Sequence, residues 1–294
     1  MLMLEKNLTI QQTIAAVVSG KSLTRDEARG AMTKIMDGEA TPAQIASLVT
    51  ALRMKGETID EIAGFAEIMR EKGNHVDTVR EDLLDTCGTG GDGAETFNIS
   101  TASAIVAAAG GIRVAKHGNR AMSSKSGSAD VLEALGVNIQ LNAEQVGECL
   151  DATGIGFMFA QVFHQSMKHA AVPRREIGIR TVFNLLGPLT NPAGADRQLL
   201  GVFERGKTEL VARVLQELGV KRAMVVSSYD GLDEISISAP TQVTELRNNE
   251  VRTYEISPEL LGLRQYSIRD VAGGSAETNA NIIRNIFAGE RGAY

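Results

Sequence analysis

Leu83-Leu84-Asp85-Thr86-Cys87-Gly88-Thr89-Gly90-Gly91-Asp92-Gly93-Ala94-Glu95-Thr96-Phe97-Asn98-Ile99-Ser100-Thr101 carries the chain from a short apolar run, through a glycine-rich loop, to a helix start. Residues 83–87 predict a strand. The next six residues hold four glycines, so the backbone can turn tightly and approach a ligand with no side chain between them. Exposed N–H groups in such a loop form a nest for an anion. Asn98, Ser100 and Thr101 are residue types that cap helices, and a helix N-terminus also attracts phosphate. Capping alone explains the second motif, and a plain tight loop explains the first about as well as a phosphate site does. Their direct succession favours anion binding. The spacing fits neither a Walker loop nor the dinucleotide fingerprint.

Downstream the strand–helix grammar repeats. Strands are expected at 112–115, 155–160, 198–203 and 223–227, and helices at 100–109, 129–135, 143–152 and 208–218. Such alternation predicts an α/β domain with a mostly parallel central sheet. Polar–apolar alternation over 243–256 predicts an antiparallel excursion, and 276–287 a final helix. Upstream the pattern differs. Thr9, Thr24, Thr41 and Thr58 are each followed three residues later by Gln12, Glu27, Gln44 and Glu61, the capping-box signature. Pro42 suits a first helical position, and Gly20, Gly38, Gly56 and Gly73 suit helix ends. Ile45, Leu48, Val49 and Leu52, then Ile59, Ile62, Ala63 and Ala66, space one buried face. The expected architecture is a small all-helical domain over residues 1–75 and a larger α/β domain over 76–294.

With 294 residues, 43% hydrophobic and 22% charged, the chain can bury a sizeable core. Its longest small-apolar stretch, 102–112, is broken by Ser103 and Gly110-Gly111 and falls short of the roughly 20 residues that span a bilayer. The opening MLMLEKN lacks a signal-peptide pattern, so a cytoplasmic protein with no membrane partner is expected. A net charge of −6, no Trp and four Tyr argue against nucleic acid as a partner. Cys87 and Cys149 have neither metal nor disulfide spacing and are expected to be buried, reduced thiols.

The global charge conceals two basic clusters, Lys116, His117, Arg120 and Lys125, then Arg174, Arg175 and Arg180, and local charge can attract an anion. The first begins in Lys116-His117-Gly118-Asn119-Arg120 and runs into Ser123-Ser124-Lys125-Ser126-Gly127-Ser128, a loop expected at the carboxyl end of a strand, where open sheets bind ligands. A solvated loop accounts for the charges but not for the glycines, hydroxyls and amide among them. Asp233-Glu234 is either a turn or a pair of hard oxygen ligands for Mg²⁺.

These pieces occur in one order: GTGGD (88–92), NIST (98–101), KHGNR (116–120), SKSGSADVLE (124–133), Arg174-Arg175 with GIRT (178–181), NLLGPLTNP (184–192) and GLDE (231–234). In that order, and in the four-helix opening, essentially the whole chain resembles the anthranilate phosphoribosyltransferases. KHGNR and GPLTNP are the most family-specific pieces. The resemblance implies transfer of the phosphoribosyl group of 5-phosphoribosyl 1-diphosphate to the amine of anthranilate, with loss of pyrophosphate, in tryptophan biosynthesis. It implies that Gly88, Thr89, Gly91 and Asp92 wrap the phosphoribosyl diphosphate and that Asn98, Ser100, Thr101, Lys116 and Ser128 hold its phosphates. Ser100 with Glu234, and Asp233 with Glu234, would ligate two Mg²⁺ per subunit. Gly88, His117, Asn119, His164, Arg174 and Pro188 would form the anthranilate pocket. Lys116, Asp233 and Glu234 are then the catalytic residues, acting electrostatically on an oxocarbenium-like transition state. No strong general base is needed, because an aromatic amine is already a nucleophile. A homodimer through the helical domain is implied as well.

Two features depart from the family pattern. The chain stops at Tyr294, where the family continues with further helical structure, so it reads as C-terminally shortened and an uncovered apolar face is expected. Glu95 replaces a small or amide residue beside the diphosphate loop. One rival reading is a pyrimidine-nucleoside phosphorylase, similar in fold, which would carry serine–threonine–glycine in place of Gly118-Asn119-Arg120 and lack Asp233-Glu234. The other is a non-catalytic nucleic-acid-binding relative, which would need a basic surface rather than this acidic balance.

Overall fold

A computed structural model describes residues 8–121 and 125–294. The MLMLEKN segment and Ser123-Ser124 lie outside the described residues. Four helices come first: α1 (Ile10–Val18), α2 (Arg25–Met36), α3 (Pro42–Lys55) and α4 (Ile59–Glu71). Each begins at its predicted threonine with both halves of the capping box formed. Gly20, Gly38 and Gly56 take φ of 82°, 77° and 89°, a region that only glycine enters without strain. Gly73 serves otherwise: a Cβ there would lie 3.2 Å from His164 Nδ1.

The α/β part follows as β1 (Leu84–Asp85), α5 (Ile99–Ala109), β2 (Val114–Gly118), α6 (Ser128–Ala134), α7 (Ala143–Thr153), β3 (Ile155–Phe159), α8 (Ala160–Phe163), α9 (Lys168–Ile177), α10 (Val182–Leu186), β4 (Arg197–Gly201), α11 (Thr208–Glu217), β5 (Arg222–Ser228), β6 (Thr241–Arg247), β7 (Glu250–Ile256) and α12 (Ala276–Phe287). The strands form one seven-stranded sheet in the order β3-β2-β1-β4-β5-β6-β7. Pairing is parallel from β3 to β5 and antiparallel from β5 through β6 to β7. The antiparallel excursion is thus a hairpin that closes the sheet edge.

Two boundaries move for physical reasons. The first strand is shorter than 83–87, because Thr86 and Cys87 leave the ladder: the Thr86 hydroxyl donates to Ser100 O (3.0 Å) and Cys87 N–H to Asp85 Oδ1 (3.1 Å). The strand expected at 112–115 instead runs through Lys116 and His117 to Gly118, paired with β3 throughout. Those two side chains therefore stand on a buried strand end, not on a solvated loop.

The helical domain has no core of its own. Ile45, Leu48, Leu52, Ile62 and Phe65 belong to the same buried cluster as Leu186 of α10, Leu200 of β4 and Val211 and Leu215 of α11. Ion pairs fasten the same junction: Arg25–Glu217 (3.0 Å), Arg53–Glu204 (2.8 Å) and Glu57–Lys207 (2.7 Å). Arg70 of α4 crosses it too, donating to Leu189 O (2.8 Å) and Leu218 O (3.3 Å). Leu260, Leu261 and Leu263 are exposed beyond β7.

Within the helices Glu61 has the most demanding place. It is fully buried, accepts from Leu23 N–H (2.9 Å) and Thr58 N–H (2.8 Å), and pairs with Lys55 (3.0 Å). Removing it strands a buried ammonium and two buried donors, so Glu61→Ala should cost about 3 kcal/mol. Thr41→Ala, which removes only an exposed cap, should cost about 1 kcal/mol. Urea unfolding of the two variants should show this order, with unchanged dependence on urea concentration.

Candidate active site

The carboxyl ends of β1, β2 and β4 meet around the glycine-rich loop. Gly88 is forced by close approach: a Cβ would meet Gly201 O at 3.1 Å and Asp233 Oδ2 at 3.3 Å. Thr89 spends both donors on Gly201 O, from N–H at 2.8 Å and from its hydroxyl at 3.3 Å. Gly90 N–H donates to Asp233 Oδ2 at 2.7 Å. Gly90 and Gly91 then take φ of 65° and 80°, and Asp92 closes the turn by accepting from Ala94 N–H (3.0 Å).

Lys116 is only 3% exposed. Its ammonium reaches Thr86 Oγ1 (3.1 Å), Ser100 Oγ (3.4 Å) and Thr86 O (3.5 Å). Glu234 lies in the field of that ammonium and accepts from Ser100 N–H. Burial, then the charge of Asp92, pushes the Asp233 carboxyl well above the usual range; burial, then Asp233 itself, does the same to Glu234. The carboxylates thus crowd one another in a region poor in positive charge, a setting suited to a hard divalent cation. Mg²⁺ takes one or two carboxylates and completes its shell from phosphate and water.

At the start of α5 the Asn98 side chain does not cap. Its amide donates to Ser126 O (3.0 Å) and accepts from Asn279 (2.8 Å), so the helix N-terminus is left uncapped by it. Thr101 Oγ1 is buried without a partner among the described residues. Ser128, at the start of α6, donates to Asn119 O (3.2 Å), while Asn119 itself is exposed.

A second group forms beside β2. The His117 and His164 rings meet edge to face with centroids 5.1 Å apart. Both nitrogens of His117 and Nε2 of His164 are buried with no hydrogen-bond partner among the described residues. Burial, reinforced by His164, pushes His117 down to about 3, and burial pushes His164 down to about 4. Pro188 is buried in the neighbouring turn, its carbonyl accepting from Gln198 at 2.6 Å. Arg174 lies over the Phe183 ring (5.4 Å) and is half-buried, whereas Arg175 is exposed.

The first basic cluster is largely neutralised. Arg120 pairs with Asp130 (2.7 Å) and Glu133 (2.9 Å), and Lys125 with Glu95 (2.7 Å). Glu95 is itself exposed, at φ 52°. Cys87 and Cys149 are free thiols, half-buried rather than buried, and the desolvated surroundings of the Cys87 thiol, with Asp85 beside it, push it up to about 12. Sequence reasoning passed over Thr86, Gly201 and Asn191. Gly201 approaches so closely that a Cβ would lie 1.5 Å from Asp233 O, and a lone glycine in a strand is its only sequence signal.

Both histidines are neutral in the folded chain and titrate near 6.5 once unfolded. Between those values the unfolded chain binds more protons, so their contribution is fully present above about pH 6.5 and is lost as pH falls towards 4. Melting temperature should fall over that window, and His164→Asn should flatten the fall. Ring NMR shifts of His117 should stay those of a neutral imidazole at pH 5.

Residues 80–294 match the family described as glycosyl transferase family, a/b domain, and residues 11–73 its helical bundle domain. The curated anthranilate phosphoribosyltransferase of Acetivibrio thermocellus is 59% identical over 283 residues, 96% of this chain and 82% of the relative. That of Brevibacillus brevis is 57% identical over 94% of this chain and 81% of its own length. Among solved structures, the Thermus thermophilus anthranilate phosphoribosyltransferase superposes with a TM-score of 0.90 at 44% identity, covering 96% of this chain and 84% of that one. The Saccharomyces cerevisiae enzyme in complex with PRPP and Mg superposes at 0.86 with 28% identity, over 94% and 80%. With its motifs, its two-part fold and these likenesses in agreement, the chain belongs to the anthranilate phosphoribosyltransferases.

Proposed function

We propose that this chain binds 5-phosphoribosyl 1-diphosphate between the glycine-rich loop and the start of α5, and anthranilate on the His117–His164 side of β2. The observation that carries the reading is the Lys116 ammonium, buried between Thr86 and Ser100 and facing Glu234. Gly88, Thr89, Gly91 and Asp92 would surround the diphosphate. Thr101, with its unpartnered hydroxyl, Ser100 and Lys116 would hold phosphate oxygens, with Asn98 and Ser128 fixing the loops around them. Asp233, Glu234 and Ser100 would hold two Mg²⁺, an ion also present in the yeast relative's complex. Bound there, magnesium neutralises charge growing on the departing diphosphate. Lys116 adds a fixed positive charge at the same end.

On the acceptor side the neutral His117 and His164, with Pro188 and Asn119, would shape a pocket for a flat aromatic amine, and Arg174 would meet its carboxylate. A yeast relative is described in complex with 4-fluoroanthranilate, which supports an aromatic acceptor. Holding amine and anomeric carbon in line supplies much of the acceleration. Displacement releases one proton from the amine, which passes to the departing pyrophosphate or to water. The boundary between the helical and α/β parts falls at residues 75–76 in this reading. Val18 and Met54, 70% and 84% exposed on α1 and α3, support a homodimer through the helical domain. We place the enzyme in the cytoplasm, since its phosphorylated substrate cannot cross a bilayer unaided.

Mixing the protein with anthranilate, 5-phosphoribosyl 1-diphosphate and Mg²⁺ should quench anthranilate fluorescence, and chelator should stop it. Asp233→Asn/Glu234→Gln should lower turnover about a hundredfold or more. Phosphorolysis of a pyrimidine nucleoside, with no loss of anthranilate, would overturn the acceptor assignment.

A further inference from the structure

The second basic cluster does more than line the acceptor side. Arg180 follows Gly178, whose φ of 62° ends α9, and precedes Thr181, the residue that starts α10. Its backbone is therefore fixed on both sides. From there its side chain crosses to the glycine-rich loop, where Nη2 donates to Gly91 O. The guanidinium is braced on Phe203, lying 3.7 Å from the ring centroid. A Cβ at Gly91 would meet the same Nη2 at 3.4 Å, so the contact uses the space that glycine leaves.

The loop is thus held at three successive residues by three different elements. Thr89 is tied to the end of β4 through Gly201 O (2.8 Å), Gly90 to the Asp233 carboxylate (2.7 Å), and Gly91 to Arg180. In a trans peptide the C=O and the following N–H point to opposite sides of one plane, and no peptide bond among the described residues is cis. A Gly91 carbonyl drawn to Arg180 on one side therefore turns the Asp92 N–H to the other. That N–H has no hydrogen-bond partner among the described residues. We propose that Arg180 is a positioning residue for the diphosphate: braced on Phe203, it holds the Gly91 carbonyl and so aims the Asp92 N–H at the diphosphate. The inference rests on the placement of 5-phosphoribosyl 1-diphosphate proposed above. Arginine suits the task because a planar guanidinium stacks on a ring while donating in its own plane, which an ammonium cannot do.

The test is steady-state kinetics with Mg²⁺ on the parent chain, Arg180→Ala, Arg180→Lys, Phe203→Leu and the Arg180→Ala/Phe203→Leu double variant. Arg180 and Phe203 lie at the surface of the loop, so melting temperatures should match. Arg180→Ala should raise KM for 5-phosphoribosyl 1-diphosphate about tenfold, the loss of one charge-assisted hydrogen bond, and leave KM for anthranilate unchanged. Arg180→Lys should recover little of this. Phe203→Leu should shift the same KM, and the double variant should be no worse than Arg180→Ala, the mark of coupled sites. Full recovery by lysine would mean charge alone matters, and equal shifts in both KM values with a lower melting temperature would mean a general structural role; either overturns the proposal. A parent chain that consumes no anthranilate would sink the functional reading instead. Calorimetric binding of 5-phosphoribosyl 1-diphosphate with Mg²⁺ would then decide Arg180 alone, about tenfold weaker in Arg180→Ala if the proposal holds and equal or undetectable in both if it fails.

Discussion

The site is organised by one buried carboxylate. Asp85 ends β1 with no exposed surface. It accepts from Cys87 N–H (3.1 Å), His117 N–H (3.1 Å) and Asn191 Nδ2 (2.7 Å). Those three donors belong to the glycine-rich loop, to β2 and to the turn after Pro188. A buried anion is tolerable only when its lone pairs are met, so these segments are bound to converge on it. Burial still pushes Asp85 up to about 6, against the opposing pull of Lys116. The same carboxylate is thus a compensating charge for the buried lysine. Without it, the lysine and the two substrate loops would have no common reference point.

From that anchor the site's charges follow a consistent logic. Arg120 and Lys125 are spent on Asp130, Glu133 and Glu95, so they shape loops rather than attract ligand. Lys116 is what the fold presents from within. One ammonium cannot match a diphosphate and three crowded carboxylates, Asp92, Asp233 and Glu234, without help. The raised proton affinity of Asp233 and Glu234 reports how unfavourable the unliganded charge distribution is. A divalent cation held there, as proposed, would resolve it by giving the carboxylates and the incoming phosphates a shared counter-ion, so metal and substrate are expected to bind with mutual reinforcement. On the proposed acceptor side the neutral histidine pair would leave orientation to shape and to Arg174.

Much of this was legible in the sequence, and what was not has identifiable causes. The capping boxes at Thr9, Thr24, Thr41 and Thr58 are local chemistry, so four helices could be placed residue by residue. Strand–helix alternation fixed the α/β class. The strand ending at Gly118 was harder to read, because Lys116 and His117 break an apolar pattern that only long-range partners, Asp85 and Ser100, allow to stay buried. Gly201 and Thr86 carry little local signal, a lone strand glycine at most, since each matters through a neighbour distant in the chain. Asn98 illustrates the opposite error. Its residue type reads as a cap, yet a contact with Asn279 across the fold takes its amide and leaves the helix start for another acceptor.

The shared core gives the helical domain a part in the chemistry that its own residues do not show. Arg70 ends α4 with its guanidinium buried, its proton affinity lowered by desolvation, and holds the carbonyl of Leu189. Gln198 of β4 holds the carbonyl of the adjacent Pro188. The turn beside the acceptor side is therefore gripped from both parts of the molecule, and Gly73 leaves the room in which His164 sits. Any rotation of α4 relative to the sheet must move Leu189, and with it the Pro188 wall, while Asp85 holds the glycine-rich loop through Cys87 N–H. Domain movement would then alter the distance between acceptor and anomeric carbon more than it alters the phosphate contacts. That asymmetry is what a hinge needs if it is to bring two substrates into line without releasing the first.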